Sequence, residues 1–310
     1  MKTKPFIFLH LISFMLVVST LINAQQVTSV VIPKKEKTSA DILESSLFRV
    51  IYTFSQKATK DREPIILTDT MALTVGQIHS VYYDWNKQRN DSINSLNTII
   101  PVEKITHVNV FKDEYLLQSR LELHQEPTLI TDYSKGESAR IFKNRAKNEI
   151  ITMDKGPSEG GTVNPASTYL QVTEIIPPQN WTISEDTLTV LGYACQKATA
   201  TFRGRNYSAW FTLDIPVSEG PWKLHGLPGI ILKAEDDESI FHFHAIGITQ
   251  TGDEKIEIPT DRKITSTTLK QLHDYRKNRF KEVMYSFFEG GKLSIFRVRN
   301  PIMFNELEIE

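Results

Sequence analysis

A turn of two glycines and a proline, followed at once by apolar residues, constrains this chain more than any other feature. Within Gly226-Leu227-Pro228-Gly229, the run Leu-Pro-Gly suits a type II turn that starts at Leu227, because proline fixes φ at the second position and glycine accepts a positive φ at the third. Ile230, Ile231 and Leu232 follow, and three consecutive apolar residues indicate a strand that is covered on both faces. The sequence therefore predicts a rigid turn, with Gly229 at positive φ, that leads into a buried strand.

The hexapeptide at residues 226–231 has two interpretations. As a binding loop, its glycine backbone allows a ligand to approach closely. As a structural turn, it sets the register of the following strand, with Trp222 as an apolar anchor. We favour the structural turn, because the hexapeptide contains no titratable side chain and turns of this composition usually delimit secondary structure.

Several segments on either side of the hexapeptide belong to the same sequence pattern: residues 193–199, 204–205, 209–211, 215–222 and 300–302. Together with residues 226–231 they resemble the GLPGLI family of exported Bacteroidota proteins, whose name differs from this hexapeptide only at Ile230. The resemblance implies a cell-envelope protein of unknown biochemical activity, associated with outer-membrane receptors or other transport machinery. It therefore predicts a protein partner in the outer membrane or elsewhere in the envelope.

The first 24 residues have the three parts of a secretory signal peptide. Lys2 and Lys4 provide a positive start, an apolar stretch follows, and the small residue Ala24 ends a cleavage site. We expect cleavage after Ala24, a mature chain that begins at Gln25, and a periplasmic or extracellular location. No later stretch is long and apolar enough to predict a membrane-spanning helix.

The charge distribution argues against a nucleic-acid partner, and the cysteine content excludes a disulfide within the chain. The chain has 36 Lys and Arg against 37 Asp and Glu, spread along its length, whereas nucleic-acid binding normally shows a clustered basic surface. Cys195 is the only cysteine, so no disulfide within the chain is possible. We expect its thiol to be buried as a small apolar group.

The mature sequence predicts a loose N-terminal segment at residues 25–45 and one β-rich domain at residues 46–310. Residues 195–213, with a turn at 203–206, and residues 230–248, with a turn at 235–238, form two successive hairpins. Hairpins without intervening helices indicate an antiparallel sheet. The predicted fold is mainly β: one large, twisted and curled antiparallel sheet.

One amphipathic helix is predicted near the C-terminus. Thr265 or Ser266 is the candidate N-cap. The apolar residues that recur at helical spacing are Leu269, Leu272, Phe280, Val283 and Met284.

His242 and His244 are the candidate metal ligands, because residues two apart in a strand share a face. His225, Asp236 and Asp237 are possible additional ligands, but a His-x-His pair alone is weak evidence for a metal site. We favour a solvated strand face and assign no metal, cofactor or catalytic residue.

The sequence thus predicts a non-enzymatic binding or accessory protein. The alternative is a metal-dependent or hydrolytic envelope enzyme that uses His242 and His244.

Overall fold

The computed structural model describes residues 40–87, 107–112, 114–123, 137–156, 168–175, 178–260, 263–279, 282–299 and 302–308. Within these residues the protein is mainly β, with one mixed sheet of 14 strands and a separate sheet of 3 strands. Its short helical segments are residues 85–87, α1 (Glu114–Leu123) and α2 (Leu269–Arg279). None of the helices in the described part of the chain has the length and hydrophobicity that a membrane crossing requires.

The strands follow one another along the chain with few interruptions. The first eight are β1 (Ala40–Lys60), β2 (Glu63–Gly76), β3 (His79–Asp84), β4 (His107–Phe111), β5 (Arg140–Asn144), β6 (Glu149–Lys155), β7 (Thr168–Ile175) and β8 (Thr182–Val190). The others are β9 (Tyr193–Phe202), β10 (Arg205–Thr212), β11 (Ile230–Asp236), β12 (Phe241–Gln250), β13 (Lys255–Pro259), β14 (Lys263–Ser266), β15 (Glu282–Glu289), β16 (Lys292–Arg299) and β17 (Ile302–Phe304). The large sheet has the order β14-β7-β6-β5-β3-β2-β1-β12-β11-β10-β9-β8, and β13 and β17 also pair with β1. The small sheet has the order β15-β16-β4.

Tight turns join neighbouring strands where the turn residues accept positive φ angles. Arg203 and Gly204, with φ of 51° and 75°, form the two-residue turn between β9 and β10. A type I′ turn needs positive φ at both central residues, and its twist matches the twist of the flanking strands. The predicted hairpin at residues 195–213 is confirmed, and so is the hairpin at residues 230–248, which β11 and β12 form.

The large sheet is open and strongly curled. In its linear strand order, β10 and β7 are eight strand spacings apart, a distance that would be about 38 Å in a flat sheet. Arg203, in the turn just before β10, nevertheless pairs with Glu174 of β7, with 2.5 Å between Nη2 and Oε2. Lys223, in the loop after β10, pairs with the same carboxylate. The two ends of the sheet therefore approach each other around an interior.

Alternating side chains fill this interior. In β12, Phe241, Phe243 and Ala245 are buried, whereas His242 is partly exposed and His244 exposed, so the predicted alternation is confirmed. Tyr52 of β1 is fully buried and donates a hydrogen bond of 2.7 Å from Oη to the carbonyl oxygen of Ile231. This bond ties β1 to β11, which are not neighbours in the sheet.

The predicted architecture is wrong in two respects. Strand β14 is parallel to β7, and β4 is parallel to β16, so the sheets are not purely antiparallel. Residues 40–45 lie in β1, inside the segment for which the sequence predicts loose structure. Their pairing with β13 joins residues far apart in the chain, which local sequence patterns do not reveal. Residues 25–39 and the predicted signal peptide lie outside the described residues.

The predicted C-terminal amphipathic helix is also wrong in its extent. Helix α2 ends at Arg279, and Val283 and Met284 belong to β15. Thr268 caps α2, accepting a hydrogen bond of 3.2 Å at Oγ1 from the backbone N–H of Gln271, whereas Thr265 and Ser266 lie in β14. Residues 282–289 instead pair antiparallel with β16 as strand β15, and this pairing ends the helix.

The prediction of a positive φ at Gly229 is wrong as well. Gly226 has a φ of 95° and Trp222 a φ of 52°, whereas Gly229 has no positive φ. Gly229 is needed for a different reason, because a Cβ there would lie 1.9 Å from the carbonyl oxygen of Thr212. A Cβ on Gly226 would meet no atom closer than Nε1 of Trp181, at 3.6 Å. The two glycines thus meet two different physical requirements.

We predict that Gly229→Ala destabilises the fold more than Gly226→Ala does. The added methyl group at residue 229 overlaps backbone, which has to shift at a cost of about 3 kcal/mol or more. At residue 226 only the positive φ is penalised, by about 1–2 kcal/mol. Urea unfolding of both variants measures the difference, and an equal or inverted order would contradict the steric explanation.

Candidate functional site

The residues between β10 and β11, here called the motif loop (residues 213–229), fold back against β11. The N–H of Ile230 donates to the carbonyl of Ile215 (3.0 Å), and the N–H of Ile231 donates to that of Glu219 (2.9 Å). Leu227, Ile230 and Ile231 are buried, whereas Gly226 and Pro228 are exposed. The apolar side chains of the hexapeptide therefore contribute to the core.

Glu219 fastens the motif loop to the opposite strands of the sheet. Its carboxylate is fully buried and pairs with Lys143 (2.9 Å from Nζ to Oε2) and Arg145 (3.0 Å from Nη1 to Oε1). Ser80 donates a third hydrogen bond to it, of 2.9 Å. Lys143 also donates to the carbonyl oxygens of Gly220 (2.8 Å) and Leu224 (3.1 Å). One buried ammonium group thus binds the loop at three points.

Burial and charge act in opposite directions on this ion pair. Burial raises the pKa of Glu219, but the charges and hydrogen bonds of Lys143 and Arg145 outweigh that effect, so the pKa is below its ordinary value. Burial lowers the pKa of Lys143 against the attraction of Glu219. His225, in the same loop, has its pKa lowered to about 4 by burial and by the charge of Lys143.

Trp222 and Lys223 lie at the centre of the motif loop, beside the ends of the curled sheet. The Trp222 ring is buried, 5.6 Å from the ring of Phe202 in an edge-on arrangement. The Lys223 ammonium is buried and pairs with Glu174 of β7 and with Glu308 near the C-terminus (2.7 Å from Nζ to Oε1). Trp222 is thus a buried apolar residue, and Lys223 joins three distant segments.

A cavity of about 870 Å³ lies next to Trp222 and Lys223. Its walls are strands of the curled sheet, helix α2, the motif loop and the C-terminal segment (residues 302–308). Most of its lining side chains are apolar: Phe54, Met71, Tyr82, Ala139, Ile141, Trp222, Phe241, Phe243, Leu269, Leu272, Ile302, Met303, Phe304 and Leu307. The polar lining residues are Gln56, Asp69, Glu137, Thr152, Lys223, His273, Arg276, Lys277, Asn305, Glu306 and Glu308.

Aromatic rings form the apolar wall of the cavity. Phe54 stacks on Phe243 with 4.9 Å between ring centroids and is nearly parallel to Phe241 at 6.1 Å. These three side chains come from β1 and β12, whose register places Phe54 opposite Phe243. The cavity therefore offers a broad aromatic surface for contact with an apolar molecule.

Ion pairs inside the protein neutralise much of the charge around the cavity. Arg276 of α2 pairs with Glu137 and with Asp154 (3.4 Å from Nε to Oδ2). Lys223 pairs with Glu308. Asp69, Glu306 and Lys277 also belong to the lining, so both signs of charge occur there. The balance of opposite charges favours an uncharged guest over a strongly charged one.

The histidines that the sequence offers as candidate metal ligands lie away from the cavity. Neither His242 nor His244 lines the cavity, and His242 is 3.5 Å from Glu235 (Nδ1 to Oε2) on the solvent-facing side of β12. Within the described residues, no group of three or more His, Cys, Asp or Glu side chains is arranged to hold a metal ion. Cys195 is buried, as predicted, and burial raises the pKa of its thiol.

Of the predicted site residues, only Trp222 lines the cavity. Most other lining residues look in the sequence like ordinary core positions, and they come from segments hundreds of residues apart. A signal was present in the alternation along β1 and β12, which predicts which side chains face inward. Only the curl of the sheet shows that some of them border a cavity.

A family model described as "Protein of unknown function (Porph_ging)" matches residues 203–233, from the β9–β10 turn into β11. Its name differs from that of the GLPGLI family, which stays a resemblance. No curated protein matches the chain.

Two solved structures of PNGF-II, in space groups P21 and C2, are similar to the chain at 14% and 13% identity. Each match covers 79% of this chain, has a TM-score of 0.45, and spans only 35% of the other chain. At that TM-score the similarity carries no argument about this protein.

We predict that Glu219→Gln lowers the free energy of unfolding by about 3–5 kcal/mol at pH 7, because Lys143 and Arg145 lose their buried counter-charge. The folded-state pKa of Glu219 is lowered, so its contribution is present above the unfolded-state pKa of about 4.3 and is lost as the pH falls through the folded-state pKa. Denaturant unfolding from pH 7 to pH 3 should show the difference between wild type and variant shrinking with acidification.

Glu235→Gln is the matched control for this prediction. Glu235 pairs with Lys233 on the partly exposed outer face, and such pairs contribute about 0–1 kcal/mol. A Glu219→Gln variant as stable as this control would show that the buried pair is not needed.

Proposed function

We propose that the protein is an exported cell-envelope binding protein whose cavity encloses a small, mostly apolar molecule. The observation that carries this proposal is the cavity of about 870 Å³ inside the curled sheet. Its volume is within the range of roughly 300–1,000 Å³ that is usual for small-molecule sites. Its lining of aromatic and aliphatic side chains with a few polar groups is also usual for such sites.

The position of the cavity supports the same proposal. Strands of the sheet fix one side, whereas α2 and the C-terminal segment supply much of the other. The C-terminal segment is attached by the short pairing of β17 with β1 and by the ion pairs of Glu308. A guest therefore binds between the sheet on one side and α2 with the C-terminal segment on the other.

Export and partnership complete the proposal. The signal-like first 24 residues support delivery to the periplasm or the cell exterior. The resemblance to the GLPGLI family supports association with an outer-membrane receptor or another envelope protein. The binding protein then receives or delivers its guest at that partner. Mass spectrometry of proteins that co-purify from the native envelope identifies this partner.

We predict saturable, one-to-one binding of the apolar dye N-phenyl-1-naphthylamine to the wild-type protein. Ala139→Trp should weaken it by about tenfold or more, equivalent to about 1.4 kcal/mol, because the indole occupies space in the cavity that Ala139 lines. Fluorescence titration measures the affinity. Ile66→Trp is the control, since Ile66 is 70% exposed and does not line the cavity. Unsaturable binding, or equal binding by both variants, would sink the proposal.

We predict that the mature native protein begins at Gln25 and is recovered outside the cytoplasm. N-terminal sequencing of the protein from its native cells, after separation of the periplasmic and medium fractions, tests this. A cytoplasmic product that retains Met1 would refute export.

A further inference from the structure

His273 is a cavity-lining imidazole that the fold itself does not use. It lies on α2, one residue after the buried Leu272, and is half-buried at the cavity wall. Among the described residues, none forms a hydrogen bond or ion pair with its ring. Neither ring nitrogen is one of the fully buried side-chain atoms that lack a hydrogen-bond partner. The neighbouring Arg276 is instead committed to Glu137 and Asp154.

The surroundings of His273 favour its neutral form. Burial is the largest effect and lowers its pKa; Arg276 and Lys223 lower it further, against Glu308 and Glu306, which raise it. A neutral imidazole has one N–H donor and one nitrogen acceptor. It is therefore suited to a hydroxyl group, which can both accept and donate, more than to an anion.

The carboxylates near His273 also disfavour an acidic guest. Glu306 and Glu308 both line the cavity, and Glu308 is buried with Lys223 as its counter-ion. An incoming carboxylate would meet their negative charge, while Lys223 and Arg276 are already paired. A neutral polar group would meet no such repulsion.

We infer that His273 determines which guests the cavity accepts, and that the ligand is an uncharged apolar molecule with a hydroxyl group. The apolar body lies against Phe54, Phe241 and Phe243, and the hydroxyl hydrogen-bonds the imidazole of His273. This inference rests on the proposed binding function and adds the chemical class of the guest.

Three probes with one ring system test the inference: 1-butylpyrene, 4-(1-pyrenyl)butanol and 1-pyrenebutyric acid. Wild-type protein should bind the alcohol about 3- to 10-fold more tightly than the hydrocarbon, which is the usual contribution of one neutral hydrogen bond. The acid should bind more weakly than the alcohol at pH 7. Fluorescence titrations give the three dissociation constants.

Variants separate His273 from the rest of the cavity. His273→Leu should abolish the preference for the alcohol over 1-butylpyrene, and His273→Gln, which keeps a donor and an acceptor, should retain part of the preference. His244→Leu removes an exposed histidine outside the cavity and should change nothing.

Each outcome decides one of the two proposals. Equal binding of alcohol and hydrocarbon by the wild type, a preference that survives in His273→Leu, or tighter binding of the acid would overturn the role of His273 and leave the binding cavity standing. Failure of the wild type to bind any of the three probes would overturn the binding function and this inference with it.

Discussion

The buried ion pair between Glu219 and Lys143 is the interaction on which the arrangement of the interior depends. A carboxylate removed from water is stable only when it is paired and hydrogen-bonded, and Glu219 meets both conditions with Lys143, Arg145 and Ser80. Because Lys143 also binds two carbonyl groups of the motif loop, the pair fixes the backbone that precedes the Gly-Leu-Pro-Gly sequence. The loop is thereby held inside the curled sheet.

The motif loop contacts both a buried cluster of charged groups and the cavity. Glu219 belongs to the cluster, whereas Trp222 and Lys223 border the cavity. Lys223 connects the loop with β7 and with the C-terminal segment through Glu174 and Glu308, which bridges the ends of an open sheet. Among the described residues that line the cavity, these ion pairs leave an apolar wall and the imidazole of His273 for a guest.

Features that depend on neighbouring residues could be predicted from the sequence. The hairpin around Arg203-Gly204 and the alternation at His242 and His244 follow from turn chemistry and the strand period. The prediction failed where a local pattern competed with a distant partner. Val283 and Met284 match a helical period, yet pairing with β16 places them in a strand. Gly229 matches a turn position, yet the nearby carbonyl of Thr212 determines why glycine is required there.

The sequence by itself determined the β-rich class, the two hairpins and the burial of Cys195. These depend on side-chain period, composition and φ preferences, which are properties of short segments. Only the tertiary structure decided that the sheet curls, that Glu219 meets Lys143, and that Phe54, Phe243 and His273 border one cavity. The reason is physical. Strand pairing and ion pairing between residues far apart in the chain depend on the packing of the whole chain, and the sequence of a short segment does not contain that information.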